Sequence, residues 1–117
     1  MAKEMLVIKR GYDFSKWLLN HTNKLLKSYR FSVAAKLENA VLDFIELTTV
    51  ANMRRDKLPA LRRADEALAR LRLLFRLSYE MRFVNLRSYE YSSRCLVELG
   101  KLLGGWIKNP VARPLLQ

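Results

Sequence analysis

Arg72 and Arg76 stand four residues apart in the run from Leu71 to Leu77, where leucine and phenylalanine interleave with arginine. At that spacing two guanidinium groups leave one side of a helix together, and two planar forks on one side suit the oxygens of a phosphate backbone. The same spacing fits a solvated flank, or an ion pair from Arg76 to Glu80 one turn on. Arg62, Arg63 and Arg70 add positive charge along the segment, diluted by Asp65 and Glu66. A second group, Arg54, Arg55 and Lys57, falls where a helix is expected to end, so these cations suit either an anion or the free carbonyls of that terminus. In a third, Lys24, Lys27 and Arg30 surround Tyr29 and Phe31, rings able to stack on bases or to staple a turn.

Nucleophilic and metal chemistry find less to work with. His21 is the one histidine and Cys95 the one cysteine, so the soft ligands do not amount to a zinc site, and neither metal nor cofactor is expected. His21 falls on an apolar stripe, which suits a hydrogen-bonded, partly buried imidazole better than catalysis. Some helical-bundle ribonucleases of the HEPN type pair an arginine with a histidine about five residues later. Here that place holds Lys16, which lacks the bidentate fork. Serine triad chemistry has no recognisable nucleophile turn. A protein without catalytic activity is expected, with a ribonuclease using His21 as the alternative.

Composition agrees with a binding role. A chain of 117 residues suits a single domain spanning 1–117. Half of the residues are hydrophobic, too many for a disordered chain. Twenty-two Lys and Arg face eleven Asp and Glu, giving +11 and a pI of about 10.2, which points to a polyanionic partner. Thirteen of those cations are arginine, favouring nucleic acid over simple solubility. The N-terminus lacks a signal-peptide core, one cysteine cannot form an internal disulfide, and arginines break the most apolar region. A cytoplasmic protein that does not enter membranes is expected.

Four glycines and three prolines leave long unbroken stretches with helical periodicity. Helices are predicted over about 4–27, 33–54, 57–82 and 86–108, with 110–117 a flexible tail. Phe14, Trp17, Leu18, His21 and Leu25 line the first. Ser32 is the expected cap of the second, whose stripe is Leu37, Ala40, Val41, Phe44, Ile45 and Thr48. Asp56 is the expected cap of the third, with Pro59 in its first turn and Leu61, Leu68, Leu71 and Phe75 inward. Asn85 is expected to cap the fourth, in which Tyr89, Leu96, Leu99, Leu103, Trp106 and Ile107 share a side. Short connections imply antiparallel neighbours, hence an all-α, up-down-up-down four-helix bundle. Leu73 and Leu77 fall in a sector with Arg62, Arg63 and Arg76, outside the core of an isolated bundle, so a subunit contact is expected there. Gly100 and Gly104, four apart, are read as packing residues and as further candidates for that contact. Gly104 and Gly105 are expected to make room for the Trp106 indole or for a neighbouring backbone.

The order of segments carries more than any one of them. Ser28-Tyr29-Arg30-Phe31, then Leu37 to Asp43, then Ala51-Asn52 with Arg55-Asp56-Lys57, then Leu71 to Leu77 and the closing Glu98 to Lys108 resemble the accessory variability determinant (Avd) proteins of diversity-generating retroelements. The likeness runs from about Tyr12 to Lys108. It implies a four-helix bundle that assembles as a homopentameric ring, has a basic exterior and no catalytic activity, and binds a reverse transcriptase and template RNA, with DNA as a further partner. On that likeness Arg72 and Arg76 are partner- or nucleic-acid-binding residues. The proteins encoded in intervening sequences of 23S ribosomal RNA share the bundle and are the alternative family.

Overall fold

The computed structural model describes residues 3–22, 30–109 and 112, and every regular element among them is helical. The order is α1 (Lys3–Thr22), a π-helical turn (Arg30–Ala34), α2 (Ala35–Met53), α3 (Leu58–Glu80) and α4 (Leu86–Lys108). α1 packs on α2 and α4, and α3 packs on the same two helices, so the four surround one core. The end of α1 meets the start of α2 where the Thr22 hydroxyl donates to the Glu38 carboxylate at 2.6 Å. The start of α1 meets the end of α2 where Asn52 approaches the Met5 sulfur.

The apolar stripes explain the packing. Phe14 and Leu18 of α1, Leu37, Val41 and Phe44 of α2, Leu61, Leu68, Leu71 and Phe75 of α3, and Leu96, Leu99, Leu103 and Trp106 of α4 are all buried. Removing each such large side chain from water contributes roughly 1.5–3 kcal/mol. Ile45, Tyr89 and Ile107, expected in the same stripes, are half-buried at the edges. Buried hydroxyls are satisfied locally: Thr48 donates to the Phe44 carbonyl, Ser78 to Leu74 and Ser92 to Tyr89. Because these bonds stay within one helix, small polar side chains enter the core without crossing partners.

Several boundaries differ from the sequence reading. Ser32 does not cap α2. The π-helical turn, which includes Ser32, runs directly into the helix, and the cap position is Ala34 in helical conformation, with no side-chain capping bond of its own. Asp56 stands before the cap position of α3, and its carboxylate accepts only a long 3.4 Å bond from the Leu58 amide. α3 ends at Glu80, not Arg82, because Arg82 takes the left-handed conformation at φ 63° and turns the chain toward α4. Asn85 does cap α4, its side chain accepting from the Ser88 amide at 2.8 Å. Leu25 and residues 23–27 of the predicted first helix, and the tail apart from Ala112, lie outside the described residues.

The glycines also separate. A Cβ on Gly104 would meet no heavy atom within 4 Å, so this glycine makes room for neither the Trp106 indole nor the backbone of another helix, contrary to the expectation. Gly11 is the one closed in by the core, against Phe44.

Candidate nucleic-acid interface

The basic residues singled out above fall into three settings. Lys57 lies where α2 ends, and its ammonium donates to the carbonyls of Ala51, Asn52 and Arg54. Helix C-termini leave such carbonyls without partners, so this lysine performs the capping that Arg54 and Arg55 were also considered for. Arg54 and Arg55 are exposed in the segment that follows.

Arg54, Arg63 and Arg70 line a groove of about 490 Å³ between α2 and α3, together with Asp43, Glu46 and Glu66. Three cations facing three carboxylates make this groove close to neutral. Arg70 is tied to Asp43, its Nη2 3.2 Å from the carboxylate. A polyphosphate gains little from such a lining, because its charges nearly cancel and Arg70 is already paired.

The third setting is the outer surface of α3 and its seam with α4. Arg76 donates from Nε to Glu80 at 3.1 Å, the ion pair its spacing allowed. Arg72 is exposed and has no ion pair among the described residues. Its guanidinium lies against α4 at Gly100: a Cβ there would stand 2.7 Å from Nη2 and 3.9 Å from Cζ. Gly100 therefore faces an arginine of its own protomer. Arg62 is likewise exposed and without an ion pair among the described residues. Between these cations Leu73 and Leu77 stand 66% and 43% exposed, uncovered by the bundle as expected.

α1 carries a different constellation. His21 is half-buried and its ring stacks on Trp17, centroids 4.9 Å apart and planes within 9°. Trp17 also meets Phe75 of α3 and Tyr91 of α4, so the histidine belongs to an aromatic cluster joining three helices. Lys16, in the place a ribonuclease arginine would need, pairs with Asp13 and lies over the Tyr12 ring. The Lys9 ammonium bonded to Asp13 holds that carboxyl below its ordinary value. Cys95 is half-buried beside Tyr91, and burial pushes its thiol pKa up. The Tyr91 hydroxyl bonds to Cys95, which raises the tyrosine's own pKa.

Sequence spacing could not show the long-range partners, Arg10 with Glu98 at 2.8 Å and Arg70 with Asp43, because they come from different helices. Lys24, Lys27 and Tyr29 lie outside the described residues, and Arg30 and Phe31 belong to the π-helical turn. No group of three or more His, Cys, Asp or Glu side chains among the described residues can hold a metal ion, and none of their helices is long and apolar enough to cross a membrane.

Fold and surface together define an all-helical, four-helix protein of net charge +11, with arginines on the exterior of its third helix. The chain matches the bAvd-like family over residues 5–110 and belongs to it, an Avd-type protein of a family that is accessory and non-catalytic in general terms. No curated protein and no solved structure matches the chain.

Proposed function

We propose that the protein is the non-catalytic accessory factor of a diversity-generating retroelement, acting in the cytoplasm to hold a reverse transcriptase and template RNA together for mutagenic cDNA synthesis. The observation that carries this reading is Arg72: an exposed guanidinium without an ion pair among the described residues, on a chain of net charge +11 that belongs to an Avd-type family. Arg62 extends the cationic surface, Arg55 continues it past α2, and Arg76 joins it when phosphate displaces Glu80, whereas Arg54 and Arg63 border the near-neutral groove. Arg70 and Lys57, already engaged, act as supports of the scaffold. DNA, with the same backbone charge, is a further ligand of the surface.

The scaffold is an antiparallel up-down-up-down bundle in this reading, which the Thr22–Glu38 and Met5–Asn52 contacts at opposite ends of α1 and α2 support. Its assembly is a homopentameric ring. Exposed Leu73 and Leu77 support a subunit contact on α3. Exposed Leu42 and Met53 of α2 suit that leucine face on the next copy, a head-to-tail contact of the kind that closes rings. Such a ring repeats each arginine around its rim and multiplies the affinity for a polyanion.

The test is titration of labelled template RNA with the intact protein over a range of salt. Log affinity should fall steeply with log salt. Arg72→Glu with Arg76→Glu should weaken binding at least tenfold and flatten the salt slope while leaving the far-ultraviolet circular dichroism unchanged. Undiminished binding by that variant overturns the assignment to these arginines.

A further inference from the structure

Three arginines of α3 have a placed guanidinium: Arg70 and Arg72 reach neighbouring helices, Arg76 reaches one turn along α3, and two of the three end on carboxylates. Arg70 meets Asp43 and Arg76 meets Glu80, so each is oriented at the cost of having its charge offset. Arg72 is oriented differently. Its guanidinium occupies the space beside Gly100 where any other residue would place a Cβ, 2.7 Å from Nη2. We infer that Gly100 is a positioning residue: it forms a side-chain-free notch on α4 that seats the Arg72 guanidinium and presents it, uncompensated, to a phosphate. The inference rests on the reading of Arg72 as a nucleic-acid contact and adds what holds it in place.

The physical reason lies in how a charge can be fixed. An ion pair fixes a guanidinium but weakens it as an anion receptor, since the carboxylate must be displaced first. A free arginine keeps its full charge but loses side-chain freedom when it binds. A steric seat restricts the fork in advance without an opposing charge. Glycine suits this place because α4 passes close enough that the guanidinium and a methyl group cannot share the site. Glycine also disfavours helix, so residue 100 gives up helix propensity for the seat. Gly105, further along the same helix, is exposed with open space over it and offers the control.

This predicts effects of opposite sign on stability and binding, which a plain packing role does not. In Gly100→Ala the displaced group is the end of a flexible side chain, so the arginine swings away and the helix, freed of glycine, keeps or raises its Tm. Binding of a fluorescein-labelled single-stranded RNA should weaken about three- to tenfold. Arg72→Ala should weaken it at least as much. The double variant should bind no more weakly than Arg72→Ala alone, because the notch then has nothing to seat. Gly105→Ala should raise Tm and leave RNA binding unchanged. If Arg72→Ala weakens binding and Gly100→Ala does not, the seat is refuted while the nucleic-acid reading stands. If the two losses multiply in the double variant, Gly100 acts through something other than Arg72 and the inference fails. If Arg72→Ala leaves binding intact, the underlying reading of Arg72 is overturned and the inference with it.

Discussion

The backbone of Gly11 lies against the Phe44 ring so closely that a Cβ at position 11 would stand 2.7 Å from Cε2 and 3.1 Å from Cδ2. Phe44 is fully buried and has nowhere to retreat. α1 and α2 thus come together at a point where one helix carries no side chain, and the glycine that weakens α1 as an isolated helix is what allows α1 to dock.

Gly11→Ala should therefore destabilise the protein. Overpacking a core costs about 1–3 kcal/mol, whereas replacing a helical glycine regains about 1 kcal/mol. The expected net is a loss of up to ~2 kcal/mol, read as a lower Tm in thermal unfolding. An increase in Tm would mean that the ring can move aside.

Asn85 makes the one side-chain cap of α4, accepting from the Ser88 amide. Asn85→Ala should cost about 1 kcal/mol and Asn85→Asp or Asn85→Ser should retain most of it. At this chain length that corresponds to a fall in Tm of roughly 3–6 °C. A loss below ~0.3 kcal/mol would mean that water satisfies the Ser88 amide as well as the side chain does.

Leu73→Glu with Leu77→Glu should change assembly without unfolding the chain, because both side chains are already exposed in the protomer. Light scattering in high salt should give five copies of 13.7 kDa, 68.5 kDa, for the parent chain and 13.7 kDa for the variant. Ultraviolet absorbance on the same peak excludes bound nucleic acid. A variant that keeps the parent's mass would place the subunit contact elsewhere.

Cys95 supplies a pH test. Burial raises its pKa above the ordinary 9.0, so the neutral thiol is favoured in the folded chain. Its contribution to stability is present below pH 9.0 and is lost as the pH rises through the folded value. Alkylation by iodoacetamide should accordingly be slower in the native protein than in urea at pH 8, with its rate inflecting above pH 9.0. An inflection below that value would contradict a desolvated thiol.

The residues that repeat every three or four positions were legible in the sequence because burial of one helix face is a local property of the pattern. Leu61, Leu68, Leu71 and Phe75 could be assigned to the core with no knowledge of what covers them. Leu73 and Leu77 could be seen as outside it by the same rule. The Asn85 cap and the Arg76–Glu80 pair were equally legible, since each is made within four residues. Ser32 misled because its cap reading assumes that the chain enters α2 from an extended segment, whereas here a π-helical turn leads in.

What only the tertiary structure decided is which charges remain available and which glycines are needed. Arg70 is engaged by Asp43 and Arg10 by Glu98, partners 27 and 88 positions away, and no periodicity within one helix encodes such a meeting. Lys57 became a helix cap because the chain turns there and brings its ammonium back onto α2. Gly100 and Gly104 look alike in the sequence, four apart on one helix, yet an arginine of α3 lies over the first and open space over the second. Helical pattern is set by neighbours along the chain, so the sequence determined the four helices and their inward faces. The separation of free from engaged cations depends on how those helices lie against one another, and only packing determines that.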